Sequence, residues 1–240
     1  MQFDIQKAND GILLVDKPVG WTSFDVCAKI RGQLRAGYAA RGEKPTKKQL
    51  RVGHAGTLDP FATGLLIVLL GDACKKAGEF LKLDKVYEAT ITLGATSTTG
   101  DPEGEITPTP TSFQVPFLET VEKALATFVG EIQQRPPIFS AIKVDGKRAY
   151  RLARDGKEVE LPLRTVTIHS LEIIDYTYPE LKIRTHVGSG TYIRSLAVDI
   201  GNALGTGAYC SQLRRTAIAQ WKLGDGTRDE NISAIDNSTI

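Results

Sequence analysis

The chain is poor in the residues that build metal and redox centres. Cys27, Cys74 and Cys210 are its only cysteines; they are widely scattered, with no CxxC pair and no histidine at zinc spacing. They read as reduced core or near-core thiols of a cytoplasmic protein. His54, His169 and His186 are as scattered, and with no HExxH or His-carboxylate cluster, no metal is expected. The longest apolar run, residues 65–70, is far below the roughly 20 residues that span a bilayer. Residues 1–10 mix Asp4 and Asp10 with Lys7 and hold no apolar core of a secretory signal, so export is not expected. Gly32 and Gly37 have the internal spacing of a phosphate-binding loop, but Tyr38 stands where that loop needs lysine. A charge excess is missing too: 30 Lys+Arg face 28 Asp+Glu, a formal +2, so any polyanionic partner must be met by local patches.

What is present is 240 residues, 41% hydrophobic and 24% charged, enough for one large domain or one domain with a small appendage. Residues 11–18, closed by Pro18, read as a strand ending in a turn. Thr22 or Ser23 can cap a helix over 24–34, whose Phe24, Cys27, Ile30 and Leu34 recur at helical spacing and predict a buried face. Residues 64–70 suit a buried strand, 72–83 a helix capped by Asp72, and 87–93 a half-buried strand. The Thr, Pro and Gly of 96–116 predict a loop leading to a helix near 117–129. Residues 165–174 and 181–187 resemble paired strands, and 191–204 a helix behind a glycine turn. Strands not separated by regular helices favour an α+β fold with a central mixed, largely antiparallel sheet over a doubly wound one.

Local charge is uneven. Residues 29–51 carry eight basic side chains, Lys47, Lys48 and Arg51 among them, against Glu43 alone. Residues 131–164 carry eight, including Lys143, Lys147, Arg148, Arg151 and Arg154, against five acids. Such stretches can track a phosphate backbone, although solvated loops share their composition.

Chemistry concentrates in two segments. GHAGTLDPFATG, residues 53–64, sets His54 and Asp59 among three glycines and a proline just before the apolar strand. A loop with that mixture of freedom and rigidity can hold a carboxylate at a cleft floor, where catalytic groups tend to sit, but an aspartate before proline also serves as an ordinary turn residue. VGSGTYIRSLAVD, residues 187–199, places Tyr192 and Arg194 at the start of the expected helix. An arginine there opposes the helix dipole, which an anionic partner would explain; a surface arginine without a role is the plainer reading.

Taken in order, GILLVDKPVGWTS (11–23), the block 53–71, KVY (85–87) and GTYIR (190–194) resemble the bacterial tRNA pseudouridine-55 synthases of the TruB family, over residues 11–219. The resemblance implies an enzyme that isomerises uridine 55 in the T loop of tRNA to pseudouridine without metal or organic cofactor. It puts the family's catalytic aspartate on Asp59, as nucleophile or as base toward the ribose. It makes Arg194 the cation that favours the charged carboxylate, and Tyr87 the stacking residue and acceptor of the C5 proton. Tyr192 and Leu213 match the apolar wall of the uracil pocket, and His54 the residue that holds the flipped base out of its stack. Lys17 reads as support for the site floor first and RNA contact second, and Asp101 as a supporting or RNA-facing group. Residues 131–164 correspond to an RNA-gripping insertion within a catalytic domain of 1–220, followed by a short tail at 221–240 in place of the C-terminal RNA-binding domain many members carry. The expected partner is the tRNA T stem-loop, met by a monomer with no obligate protein partner and no membrane. Competing readings are a guide-RNA-dependent synthase and a tRNA-binding or folding module without chemistry.

Overall fold

The computed structural model describes residues 11–110, 114–140, 143–144, 147–148, 161–223 and 232–235. In chain order the elements are strand β1 (Gly11–Lys17), helix α1 (Ser23–Ala40), β2 (Val52–Ala55), β3 (Thr63–Leu70), a 3-10 segment (Gly71–Lys76), α2 (Ala77–Leu81), β4 (Lys85–Leu93), β5 (Ala95–Ser97) and β6 (Ile106–Pro108). There follow α3 (Leu118–Ala126), β7 (Gly130–Gln134), β8 (Lys143–Val144), β9 (Lys147–Arg148), β10 (Arg164–Thr177) and β11 (Glu180–Val187). The last are α4 (Ile193–Ala203), β12 (Ala208–Ile218), β13 (Trp221–Lys222) and β14 (Ile232–Ile235). The class is α+β, with parallel and antiparallel pairings in one sheet. No helix among the described residues is long and apolar enough to cross a membrane.

The chain packs as two compact units, Met1–Tyr87 with Arg214–Ile240, and Glu88–Leu213. In the first, the strand order is β14-β1-β3-β12, and β2 adds to β3. Strand β1 runs antiparallel to β3, with Leu14 opposite Ile67. Leu14, Ala55, Leu65, Ile67, Leu69, Phe80 and Ile218 form a buried cluster, with Trp221 packed against Phe80, the rings tilted by 49° and their centroids 5.2 Å apart. Each such aliphatic side chain contributes roughly 1.5–3 kcal/mol by leaving water.

Helix α1 opens with a capping box: the Thr22 hydroxyl accepts from the Asp25 N–H, and the Asp25 carboxylate accepts from the Thr22 N–H. Its buried face is Ser23, Val26, Cys27, Ile30, Leu34 and Tyr38, and Phe24 is 65% exposed. The expected stripe is therefore rotated by a residue or two at its start, and the helix runs to Ala40 instead of 34. Where sequence predicts an Asp72-capped helix, the chain makes the 3-10 segment and the short α2. The N-cap position of the 3-10 segment is Leu70, without a side-chain cap, and the Asp72 carboxylate is held by Lys48 and Lys75.

The second unit carries β11-β10-β7 as an antiparallel ladder, with Ile173 opposite Ile183 and Val166 opposite Ile132. The expected 96–116 loop contains a small hairpin, β5–β6, with Asp101 in its turn. Helix α4 lacks a side-chain cap of its own; Gln134 supplies one, its side chain accepting from the Tyr192 N–H at 2.8 Å and donating to the Tyr192 carbonyl at 3.1 Å. His169 and His186, far apart in sequence, meet across β10 and β11 with ring centroids 4.6 Å apart. Cys27 and Cys210 are buried, Cys74 is half-buried, and all three are free thiols.

Candidate active site

In the first unit, the loop between β2 and β3 carries Asp59, and its backbone is pinned on both sides of that residue. The Ser23 hydroxyl accepts from the Leu58 N–H at 2.9 Å and donates to the Leu58 carbonyl at 3.2 Å. The Pro60 carbonyl accepts from the Gly20 N–H at 2.8 Å and from the Lys17 ammonium at 3.2 Å. Lys17 is fully buried and also donates to the carbonyls of Pro18 and Trp21. Residues 17–23 thus form a cradle whose donors and acceptors match the loop and leave the half-buried Asp59 between two fixed neighbours.

The far side of the loop is clamped by Arg215, which is 1% exposed. Its guanidinium donates to the carbonyls of Gly56 at 2.9 Å and Leu65 at 2.7 Å. Strand β12 pairs Arg215 with Gly64. Only glycine fits there, because at φ +98° a Cβ would lie 2.3 Å from the Arg215 carbonyl oxygen. The Arg215 charge and burial both hold the half-buried His54 imidazole below its ordinary pKa, burial being the larger cause. Arg214 reaches the other way, forking onto Asp16 at 3.0 and 2.8 Å. Tyr87 ends this unit, 8% exposed.

In the second unit, Arg194 and Asp101 form a buried ion pair, Nη1 to Oδ2 at 2.9 Å, with side chains 5% and 3% exposed. Arg194 also donates to the carbonyls of Thr99 at 3.0 Å and Phe139 at 2.8 Å. Asp101 accepts through its other oxygen from the Thr99 hydroxyl at 2.6 Å and the Glu103 N–H at 3.0 Å. The anionic partner that the arginine's awkward place at the head of α4 calls for is therefore in the protein. Tyr192 is half-buried at the N-cap of α4, and Leu213, 8% exposed, lies in β12.

Residues 44–193 match the TruB family pseudouridylate synthase (N terminal domain). Two proteins called tRNA pseudouridine synthase B are similar over most of their length. That of Bacteroides fragilis is 50% identical over 212 residues, 88% of this chain and 88% of that protein. That of Phocaeicola vulgatus is 47% identical over 214 residues, 89% and 88%. This chain belongs to the TruB family. It is accordingly an RNA pseudouridine synthase by family.

Among solved folds, a chain of the Cbf5-Nop10-Gar1 complex superposes with a TM-score of 0.66 and 30% identity, over 98% of this chain and 55% of that one. A chain of an H/ACA RNP bound to a substrate RNA containing 2'-deoxyuridine gives a TM-score of 0.62 and 27% identity, over 98% and 53%. The TruB family chain thus spans about half the length of those two.

The basic residues fall in different settings. Lys47, Lys48 and Arg51 are exposed on a connection that is ordered by mutual Thr46–Gln49 hydrogen bonds and by Arg31 donating to the carbonyls of Leu50 and Val52. Lys143, Lys147 and Arg148 lie on the β8–β9 hairpin, and Arg151 and Arg154 lie outside the described residues. Sequence reasoning passed over Arg215; its one signal was an arginine pair in an otherwise alternating strand, YCSQLRRTAI.

Proposed function

We propose that this TruB family member is a tRNA pseudouridine synthase that isomerises uridine 55 of the T loop, with Asp59 as the catalytic carboxylate and the target base flipped from its stack. The observation that carries the reading is the double pinning of the Asp59 loop through Leu58 and Pro60. A single carboxylate must meet the sugar of one nucleotide, and a fixed backbone supplies that aim without reorganisation during the reaction. The similar bacterial proteins named as tRNA pseudouridine synthases support the substrate class.

In the reaction, the N1–C1′ bond breaks, the uracil turns within the site, C5 bonds to C1′, and the proton at C5 leaves while N1 gains one. No atom or electron is exchanged with a partner, so the residues need only bind, aim and move a proton. Asp59 acts on the ribose, Tyr87 stacks on the base and takes the C5 proton, and Tyr192 and Leu213 wall the uracil. Arg194 is the family's cation for the carboxylate, and His54, kept neutral, fills space beside extruded nucleotides without bringing a charge. Lys17 and Asp101, buried and fully engaged, act by holding the loop and Arg194. The catalytic domain spans residues 1–220 with 131–164 as its RNA-gripping insertion, and the short segment 221–240 that follows adds strands β13 and β14 to the same sheet; Lys47, Lys48, Arg51 and the basic residues of 143–154 meet phosphates. The enzyme works as a cytoplasmic monomer without a guide RNA.

An unmodified tRNA transcript incubated with the protein, labelled with carbodiimide and read by reverse-transcription stops, tests this. The expected result is one stop at position 55, lost with Asp59→Asn, whose RNA binding persists. Binding without a stop overturns the reading in favour of an RNA-folding module or a guided enzyme.

A further inference from the structure

One cavity of the second unit touches the reaction above only through Arg194 at its edge, and none of its other lining residues has a role there. It is about 360 Å³, the size range of small-ligand sites, and lies between the β5 turn, residues 135–139 and one face of α4. Arg194, Ser195, Val198 and Asp199 stand one turn apart on that face and line it. Opposite, Pro136, Pro137, Ile138 and Phe139 give an apolar wall. The wall is tied to the helix: the Ser195 hydroxyl donates to the Arg135 carbonyl at 2.7 Å, and Arg194 to that of Phe139. The cavity is thus a built feature of the fold.

Its unexplained group is Asp199. This half-buried carboxylate lines the cavity and makes no hydrogen bond or ion pair among the described residues. Carboxylates in that situation are partnered in folded proteins, because desolvating one without a donor is costly. We infer that the cavity is a second nucleobase site, in which the Asp199 carboxylate receives the paired N1–H and N2–H donors of an unstacked guanine of the RNA.

The chemistry singles out guanine. A carboxylate has only acceptors, and guanine is the one standard base whose pairing edge sets two N–H donors side by side; the edge of uracil flanks its single donor with two carbonyls that repel the anion. The Pro, Ile, Phe and Val side chains provide the apolar contact such a base needs on its faces. Burial pushes the Asp199 carboxyl up to about 6, so at neutral pH it is mostly ionised and able to accept. The charged groups lining the cavity with it are Arg135 from the wall and Arg194 from its own helix. In sequence the wall leads into the hairpin β8–β9, which carries Lys143, Lys147 and Arg148. The inference rests on the tRNA reading for its source of guanine, but its test reads binding and not isomerisation.

The guanosines of a tRNA transcript are replaced singly by inosine, which lacks the N2 amine, and affinity is measured for wild type, Asp199→Asn and the cavity-filling Val198→Phe. The expected result is one guanosine at which inosine weakens wild-type binding about tenfold, the worth of a hydrogen bond to a charged group. That penalty shrinks to near unity in both variants, while losses at every other guanosine stay equal among the three proteins. Equal inosine penalties at all positions overturn the proposal. Competition by guanosine monophosphate that depends on Asp199, with no RNA position coupled, assigns the cavity to a free nucleotide and overturns the RNA part. Pseudouridine formed normally beside uncoupled inosine penalties would leave the function standing and remove only this site.

Discussion

The Arg194–Asp101 pair allows the sharpest stability test. In Asp101→Asn the shape is kept, and the amide oxygen can still accept from Thr99 and Glu103. The amide NH2 then faces the Arg194 guanidinium, donor against donor, and a cation whose side chain is only 5% exposed loses the charge of Asp101. Breaking a buried pair in this way costs about 3–5 kcal/mol. With a urea dependence of about 2 kcal/mol/M, the unfolding midpoint followed by far-UV circular dichroism should fall by about 1.5–2.5 M. Replacing both partners, Arg194→Met with Asp101→Leu, removes the stranded charge and should yield a protein more stable than Asp101→Leu alone. A midpoint change under about 0.5 M in Asp101→Asn, or single-variant losses that simply add in the double variant, would refute the reasoning.

Three further outcomes follow from the first unit. Ser23→Ala removes both hydrogen bonds to Leu58 and should slow single-turnover isomerisation about ten- to hundredfold, with RNA affinity unchanged; an unaltered rate would show that the cradle does not aim Asp59. Gly64→Ala should destabilise by at least about 3 kcal/mol, since strain at positive φ adds to a backbone overlap, whereas Gly20→Ala, at φ +80° in open space, should cost about 1–2 kcal/mol; equal melting shifts would contradict this. Burial, aided by the Arg215 charge, lowers Lys85 from its ordinary 10.5 to about 8, so between these values the unfolded chain binds more protons than the folded one. The stability of wild type relative to Lys85→Met should therefore rise from pH 8 toward 10.5, and urea midpoints of both at pH 7.5 and 9.5 check the sign.

Much of the sheet could be read in advance because its strands announce themselves locally. The unbroken LLIVLL of β3 and the alternation in β4 and β11 reflect burial on two faces and on one. Errors arose where a tertiary partner outbid local preference. Asp72 has the chemistry of a cap, but two lysines claim it. Phe24 fits an apolar helical period and faces outward, because the face that packs is centred on Val26, Cys27, Ile30, Leu34 and Tyr38 and residue 24 lies to its side. For the site, the loop around Asp59 stood out by composition, but the residues that hold it did not. Ser23 looked like one of two alternative caps, and Arg215 like a strand arginine. Asp199 was equally silent, since a carboxylate on a helix reads as solvent-facing until it is seen to line a cavity with residues 135–139.

The Arg215 clamp has a consequence for the order of assembly. Ribosomes deliver β1, the head of α1 and the Asp59 loop within the first third of the chain, so the Ser23 and Lys17 contacts can close early. The carbonyls of Gly56 and Leu65 must wait for an arginine 159 and 150 residues downstream. Until that residue leaves the exit tunnel, the loop is held on one side only. A nascent chain therefore completes the hold on this loop only once β12 has emerged, and a fragment cut short before β12 would carry the loop without its clamp.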